Sequence, residues 1–347
     1  MNYELNRVRV AFIGLGDRGR TAVRLMSQLA EVRVAALCDS SDANVEAARQ
    51  YGDDATVCVA GPGAYATLCQ RADVDLVYIC TDWESHAQIA IDALRGGKDV
   101  AVEVPAALTL EDIEVLLAAA KASGRLCFML ENCCFDPQLE AAIARIRSGE
   151  IGEIVHAEGN YYHELAHRWT PWRLEINRRM RGDLYPTHEI GPICKALGMG
   201  RDDYLTTLVC MDSAPIAGTE VYSRSLRKTA EVFSNGDHTT TLIRTARGRT
   251  ILLKHDVMTT QTYERQLTFV GTKGRIRLDD QGKPSHEQMT IDMNRHLVDV
   301  LLRGARPAIS LEDMAAWCAV IPLSSLSIER GFAPVAFPDF NSPNPSP

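Results

Sequence analysis

The chain contains no C-x-x-C among its ten cysteines, so neither a dithiol redox motif nor a zinc knuckle is expected. Cys38, Cys58, Cys80, Cys127 and Cys318 sit in apolar runs, where free cysteine behaves as a small hydrophobe. The opening Met1-Asn2-Tyr3-Glu4-Leu5 lacks a basic stretch followed by an apolar one, the mark of an export signal. A reducing, cytoplasmic setting is the expectation that follows. No Lys/Arg block interrupts a chain of net charge −8, which argues against nucleic acid or an anionic membrane as partner. No apolar run reads as long enough to span a bilayer, and no internal repeat is visible.

What is present is ordinary for a globular protein: 46% hydrophobic and 24% charged residues over 347 positions, enough for two domains with full cores. Residues 8–13 form an apolar run that feeds Gly14-Leu15-Gly16-Asp17-Arg18-Gly19. A helical pattern follows, then a second apolar run from Val32 to Cys38 that stops at Asp39. Glycine triplets alone are common, but here a strand precedes, a helix follows and an acid stands about twenty residues on. Gly14 permits the tight turn, Gly16 lets the backbone approach a pyrophosphate, and Gly19 lets helix and strand pack closely. The helix N-terminal amides then face the phosphates. Asp39 is suited to an adenosine ribose and repels a 2′-phosphate, so NAD is expected over NADP. The bland alternative is a βαβ turn with an incidental acid.

The first 130 or so residues alternate in βα fashion. Strands read at Val8–Ile13, Val32–Cys38, Val74–Cys80, Asp99–Glu103 and Leu126–Leu130, and a helix over Leu110–Ser123 is stopped by Gly124. This predicts an α/β fold: a doubly wound parallel Rossmann sheet over residues 1–131, with ligands beyond the carboxyl ends of its strands. The pattern then changes. A helix near Gln138–Ser148, a strand over Ile154–His163, an irregular aromatic segment around Trp169 and Trp172, and a helix to about Leu197 lead into Tyr204–Leu278. That stretch alternates as half-buried antiparallel strands do. Helices near Met293–Arg303 and Leu311–Glu329 close an α+β substrate domain over 132–339, built on a large open, mainly antiparallel sheet. Residues 340–347 read as a disordered tail.

His163-Glu164-Leu165-Ala166-His167 matches the zincin pattern, which needs both histidines on one helical face. Tyr161 and Tyr162 before it are β-prone and Thr170-Pro171 breaks any helix after it, so no metal is expected. Tyr185-Pro186-Thr187-His188 is more promising. Pro186 and Thr187 suit a helix start, which places His188 near a helix N-terminus, where neutral imidazole is favoured. Such a histidine can take a proton; the competing reading is one that merely packs. Tyr161, Tyr162 and Tyr263, taken singly, are ordinary strand aromatics. Glu103-Val104-Pro105 lacks the lysine of the Glu-Lys-Pro motif of sugar and polyol dehydrogenases, a group that helps manage the hydroxyl proton.

These residues resemble glycoside hydrolase family 109, the NAD-dependent α-N-acetylgalactosaminidase branch of the glucose–fructose oxidoreductase and inositol dehydrogenase superfamily. Trp83-x-x-His86, Glu103-Val104-Pro105, Glu131-Asn132-Cys133-Cys134, Tyr161-x-His163 and Leu184-Tyr185-Pro186-Thr187-His188 carry the resemblance. Thr239-Thr240-Thr241-Leu242, His255-Asp256-Val257, Tyr263, Gly271-Thr272-Lys273-Gly274 and Ile321-Pro322-Leu323-Ser324 extend it through nearly the whole chain. It implies NAD held near Gly14, Gly16, Asp17, Arg18, Gly19, Asp39, Trp83, His86, Glu103, Val104, Asn132 and Tyr185. It implies a sugar pocket of Tyr161, Arg173, Tyr185, Pro186, Thr187, His188 and Tyr263, with His188, Tyr185, Tyr161 and Tyr263 in catalytic roles. The partner implied is a small glycoside or glycan terminus, and the open sheet offers a face for a homodimer or tetramer.

The sequence departs from that family at Phe135, where tyrosine is usual, at Glu189, where glycine is usual, and at His286-Glu287-Gln288-Met289-Thr290. Glu189 is expected at the edge of the pocket. The chemistry implied is redox-neutral: oxidation at C3 of the sugar, elimination across C2 and C1, addition of water and reduction. Most glycosidases use two carboxylates instead, with NAD-dependent exceptions. A net sugar or polyol dehydrogenase, and a nucleotide-binding regulator without turnover, are the competing functions.

Overall fold

The computed structural model describes residues 7–164, 169–226, 233–259, 262–279 and 285–340. The chain folds as two compact units, the first from Met1–Asn132 and His286–Ala315, the second from Cys133–Ser285 and Ala316–Pro347.

The first unit is a six-stranded parallel sheet of β1 (Val8–Ile13), β2 (Val32–Asp39), β3 (Val57–Ala60), β4 (Leu76–Ile79), β5 (Asp99–Val102) and β6 (Cys127–Met129). Its strand order is β3-β2-β1-β4-β5-β6, the doubly wound arrangement. The connections carry α1 (Asp17–Met26), α2 (Asp42–Ala48), α3 (Tyr65–Cys69), α4 (Trp83–Arg95) and α5 (Leu110–Ser123). Strands β1, β4, β5 and β6 are buried along nearly their whole length, as expected of a parallel sheet covered on both faces. Local chemistry sets the helix ends. The Thr109 hydroxyl accepts the Asp112 N–H at 3.0 Å to start α5, and Gly124, at φ +62°, ends it. Strand β3 is absent from the sequence reading because it is a four-residue, half-buried edge strand with little pattern to see.

The second unit opens with α6 (Pro137–Arg147), then β7 (Ile154–Tyr162), α7 (Pro171–Arg179), α8 (Thr187–Leu197), β8 (Leu205–Asp212) and α9 (Ile216–Leu226). Strands β9 (His238–Thr245), β10 (Thr250–Asp256), β11 (Leu267–Gly271) and β12 (Arg275–Leu278) follow. After α10 (His286–Arg303), α11 (Leu311–Glu329) leads to β13 (Val335–Ala336). The seven strands lie in the order β12-β11-β7-β10-β9-β8-β13. Every pair is antiparallel except β10 with β7. Helix α8 presses close to β7 at Gly159, where a Cβ would stand 3.0 Å from that of Glu189 and 3.1 Å from Ile193 Cδ1.

Several sequence expectations need correction. The aromatic segment is not wholly irregular: Pro171 starts α7, and Trp169 packs with Leu174, Val221, Tyr222, Phe233 and Met258. Helix α9 interrupts the supposed strand region. Its cap is remote, since the Asp237 carboxylate takes the N–H groups of Ile216, Ala217 and Gly218 at 2.8–2.9 Å. Helix α10 begins at His286 rather than Met293, and it belongs with the first unit, not with residues 132–339. The reason is packing: Met289, Met293 and Leu297 are fully buried, and Tyr78 donates to Asn294 Oδ1 at 3.1 Å. Phe340 is buried, so ordered chain reaches past the expected start of the tail, whose remaining residues 341–347 lie outside the described residues. Helix α11 is long and apolar enough to cross a membrane by length and composition. Its burial explains that composition, with Trp317, Cys318, Ala319, Val320 and Ile321 all inside the fold.

Candidate active site

In the first unit the glycine loop follows β1. Gly14 adopts φ +86°, and a Cβ there would lie 2.6 Å from the Cys80 carbonyl. A Cβ on Gly19 would stand 1.8 Å from the Gly14 oxygen. Gly16 differs, because a Cβ on it would meet nothing within 4 Å. The protein itself does not need a glycine at 16; a ligand laid against that backbone does. Gly16 also precedes α1 without any side-chain cap, so the first amides of α1 are available to an anion. Asp17 is solvent-exposed and paired with Arg20.

Asp39, at the end of β2, braces this loop. Its carboxylate accepts the Leu15 N–H at 2.6 Å, the Ser41 N–H at 2.9 Å and the Asn44 amide at 3.1 Å. The acid expected to read a ribose is thereby held beside the turn expected to hold a pyrophosphate. The arrangement fits a dinucleotide.

The other residues expected around the nucleotide gather near the neighbouring strand ends. Asp82 caps α4 by accepting the Ser85 N–H at 3.1 Å, and Trp83 and His86 in the first turn are buried. The His86 Nδ1 lies 2.8 Å from the Pro105 carbonyl and Nε2 lies 3.1 Å from that of Thr81. Burial pushes this imidazole's pKa down, against the pull of the Pro105 carbonyl and Glu103. Val104 is buried beside Pro105. Arg18 reaches Glu103 Oε1 at 2.7 Å. Burial opposes the Arg18 charge, but Glu103 outweighs it and holds the guanidinium above its ordinary range. Asn132 is turned to α10, where its amide donates to the His286 carbonyl at 3.2 Å and to Thr290 Oγ1 at 3.0 Å.

In the second unit the structure brings most of the expected sugar residues together. Tyr161 lies near the end of β7, with its ring 5.7 Å from that of Tyr185 and 5.5 Å from that of His188. Tyr185 meets His188 edge-on at 4.9 Å. Helix α8 begins as its sequence predicts. Pro186 takes the N-cap position, and its carbonyl accepts the Glu189 and Ile190 N–H groups at 3.0 and 2.9 Å. Thr187 and His188 thus stand in the first turn, both buried. Tyr263 joins through His163, which it meets edge-on at 4.7 Å. Arg173 stands on α7 with its guanidinium 4.7 Å over the Trp172 ring.

Two members of the cluster are not among the site residues the sequence leads one to expect. His255 is the parallel-register neighbour of Tyr161 and stacks on it at 5.7 Å and 9°. His163 follows β7 as extended chain, not on a helix, while His167 lies outside the described residues. A third, Arg265, belongs to no motif in the sequence. It lies 5.4 Å over the Tyr263 ring and donates to Cys133 Sγ at 3.2 Å. The signal for His255 was available: on β10 it shares the inward phase of Ile251 and Leu253, so a polar ring is directed at the core side.

Glu189 is not at an edge. It is 1% exposed and sits between α8 and the sheet, with Oε1 accepting the Lys254 N–H at 3.2 Å. Burial also governs two site groups. It pushes the Tyr161 phenol well up, with His188 opposing, and it holds the His255 imidazole down at about 4, against the pull of Asp256.

The His255 shift has a consequence for stability. Above about pH 6.5, the usual histidine value, both folded and unfolded chains carry a neutral ring. Between there and pH 4 only the unfolded chain binds the proton, so stability is lost as pH falls, by up to roughly 3 kcal/mol. Asp183, raised by burial to about 7, acts with the opposite sign. The measurement is therefore the difference in unfolding free energy between wild type and His255→Gln from pH 7 to 4. The wild-type advantage is expected to shrink as pH falls; a constant difference overturns the expectation.

Comparison with known proteins bears on the fold and the family. Residues 8–131 match the family model "Oxidoreductase family, NAD-binding Rossmann fold", and residues 138–290 match "Glycosyl hydrolase 109, C-terminal domain". The chain is 35% identical to glycosyl hydrolase family 109 protein 1 of Phocaeicola vulgatus, over 98% of this chain and 85% of the relative. It is 34% identical to the family 109 protein of Porphyromonas gingivalis, over 98% and 86%. Among solved structures, scyllo-inositol dehydrogenase from Lactobacillus casei with bound NAD(H) and scyllo-inositol aligns with a TM-score of 0.76 at 18% identity, covering 95% of this chain and 99% of that one. GenD2 from gentamicin A biosynthesis, in complex with NAD, gives 0.77 at 16%, covering 97% and 98%. At such identities these two structures establish the fold alone. With an NAD-binding Rossmann domain followed by this C-terminal domain, and with that identity along nearly its full length, the chain belongs to glycosyl hydrolase family 109.

Proposed function

We propose that this protein is a glycosidase that uses bound NAD in a redox-neutral cycle, acting on α-N-acetylgalactosaminides or a related glycoside. The observation that carries the reading is the Tyr161–Tyr185–His188 cluster, a set of phenols and an imidazole within 6 Å of one another in a chain that also folds an NAD-binding domain. When bound, NAD supplies a reversible acceptor for the C3 hydride, and a transient C3 carbonyl acidifies the C2 proton.

The chain's own residues then manage protons and orientation. His188, in the first turn of α8, takes one of the C3 and C2 protons, and Tyr185, edge-on to it, serves the other. Tyr161, whose phenol is kept neutral by burial, holds the sugar by donating its O–H. Tyr263, 41% exposed, is placed to orient the ring or protonate the leaving group. Arg173, Pro186 and Thr187 complete the sugar side. Gly14, Gly16, Gly19 and Asp39 hold the dinucleotide, with Arg18, Trp83, His86, Glu103, Val104 and Asn132 around it. None of the ten cysteines is in a disulfide, which suits a reducing cytoplasm.

Val104 stands where the dehydrogenases of the superfamily keep a lysine, which supports net hydrolysis over net oxidation. Turnover of a nitrophenyl glycoside in deuterated water is the test. C2 deprotonation places deuterium at C2 of the released sugar, read by mass spectrometry. Unlabelled sugar overturns the mechanism, and stoichiometric NADH release from free sugar assigns a dehydrogenase.

A further inference from the structure

The inner face of the second sheet, beneath α8, holds two carboxyl groups that the catalytic cluster does not use. Asp183 and Glu189 are 0% and 1% exposed. Glu189 takes the Lys254 N–H, and Thr241, the hydroxyl that approaches Asp183, stands opposite Leu253 in the register. Leu253 and Lys254 are consecutive, so the two acids lie over adjacent strands at neighbouring positions. They also bracket the active segment: Asp183 lies two residues before Tyr185, and Glu189 directly follows His188.

Their oxygens are poorly satisfied. Both oxygens of Asp183 and the Oε2 of Glu189 have no hydrogen-bond partner among the described residues. The Tyr185 N–H and the Thr241 hydroxyl approach Asp183 and favour its charge without reaching hydrogen-bond geometry. Thr241 instead donates to Cys210 Sγ at 3.3 Å. Thr187 Oγ1, Thr239 Oγ1 and His255 Nε2 are likewise unpartnered. Such a set of buried polar atoms is what ordered internal water satisfies.

Two buried carboxylates that feel each other's charge cannot both ionise without a large desolvation and repulsion cost. The titratable groups that face them are His188 on α8, Tyr162 on β7, Cys210 on β8, His238 on β9 and Lys254 on β10. The Lys254 ammonium is directed to Glu158 at 3.5 Å. Burial pushes Asp183 up to about 7, and burial together with the Asp183 charge holds Glu189 well above the carboxylate range.

We propose that Asp183 and Glu189 form a buried pair that shares one proton and stores a second while the sugar is oxidised. The storage role rests on the glycosidase reading. In that cycle the C3 hydride goes to the cofactor and the O3 proton goes to the protein. Elimination then gives the protein the C2 proton, and the aglycone departs with one proton. At the unsaturated ketone the protein therefore holds one proton more than at the start, until water has added and the hydride returns. A carboxyl pair carrying one proton has one vacancy, beside the residues that collect it. The pair is a positioning element for protons and does not touch the sugar.

Infrared spectroscopy of the NAD-loaded enzyme tests the shared proton without any substrate. At pH 8, wild type is expected to show a protonated-carboxyl C=O band that moves in deuterated water. Glu189→Gln removes it, and Asp183→Asn weakens it by removing the neighbouring charge. A spectrum without that band, or a band that neither substitution changes, overturns the pair.

Storage is tested by kinetics. As pH falls the pair takes its second proton and the store fills, so kcat falls on the acid side. Asp183→Asn and Glu189→Gln are each expected to lower kcat about tenfold or more, with KM within about threefold, and to shift that acid limb. A wild-type limb in both variants overturns storage. If wild type turns over no glycoside while the band persists, the glycosidase reading and the storage role fail, and the shared proton stands.

Discussion

Replacing His188 by alanine lowers kcat on a nitrophenyl glycoside by about 10²–10⁴, the range of a positioned acid–base group, while bound NAD and thermal stability change little. The separation of effects follows from where the residue sits. Helix α8 starts on backbone bonds from Glu189 and Ile190 to the Pro186 carbonyl, and these do not involve the imidazole. The ring meets Tyr161 and Tyr185, the phenols proposed to work with it. Steady-state kinetics, a melting curve and the NAD content of the purified variant check this together. A variant that melts early yet keeps its specific activity shows that His188 merely packs.

The glycine loop yields the second large effect, as a contrast between two substitutions. Gly19→Ala forces a methyl group to 1.8 Å from the Gly14 carbonyl oxygen, on backbone that cannot yield without moving α1 from β1. Overpacking of this kind costs about 1–3 kcal/mol and more where backbone is the obstacle, so the variant melts markedly lower and binds NAD poorly. Gly16→Ala is the opposite case. Its φ of −61° is open to any residue, and the added methyl meets only space. Its melting temperature stays near wild type, while its NAD dissociation constant rises about tenfold or more, a loss of at least about 1.4 kcal/mol. Calorimetric titration and thermal denaturation separate the two. Wild-type affinity in Gly16→Ala removes the pyrophosphate from that backbone.

The first sheet was largely legible because its signals are local. Apolar runs, the glycine triplet, Asp39 and the Gly124 stop each act within a few residues of where they stand. The second unit was legible only where the same holds, as at Pro186-Thr187-His188. Helix α9 escaped because its cap, Asp237, arrives from about twenty residues downstream and closes only once the chain has folded. Arg265 escaped because one strand-flanking arginine says nothing of the Cys133 thiol and Tyr263 ring that it joins. Glu189 was misplaced for a related reason. A carboxylate directly after His188 reads as the edge of the pocket, and only the missing Cβ of Gly159 makes room for that turn of α8 against the sheet. The fold was thus written in short-range pattern, and the buried polar layer in long-range coincidence.

The return of residues 286–315 to the first unit changes how the molecule can be made. The nucleotide-binding unit is interrupted by Cys133–Ser285, and its buried Met289, Met293 and Leu297 come from beyond that interruption. On the ribosome, the first-made segment of the protein must therefore wait for all of Cys133–Ser285 to be made before its own covering helix emerges. Until then, Tyr78 and the surfaces under α10 stand open to wrong partners. Prior folding of the inserted segment shortens the effective tether, and closure entropy grows only slowly with length, by about 0.6 kcal/mol per doubling. A fragment ending at residue 131 is consequently a poor stand-in for the nucleotide domain, whereas one that replaces 133–285 by a short linker retains every element of the first sheet and the helix that covers it.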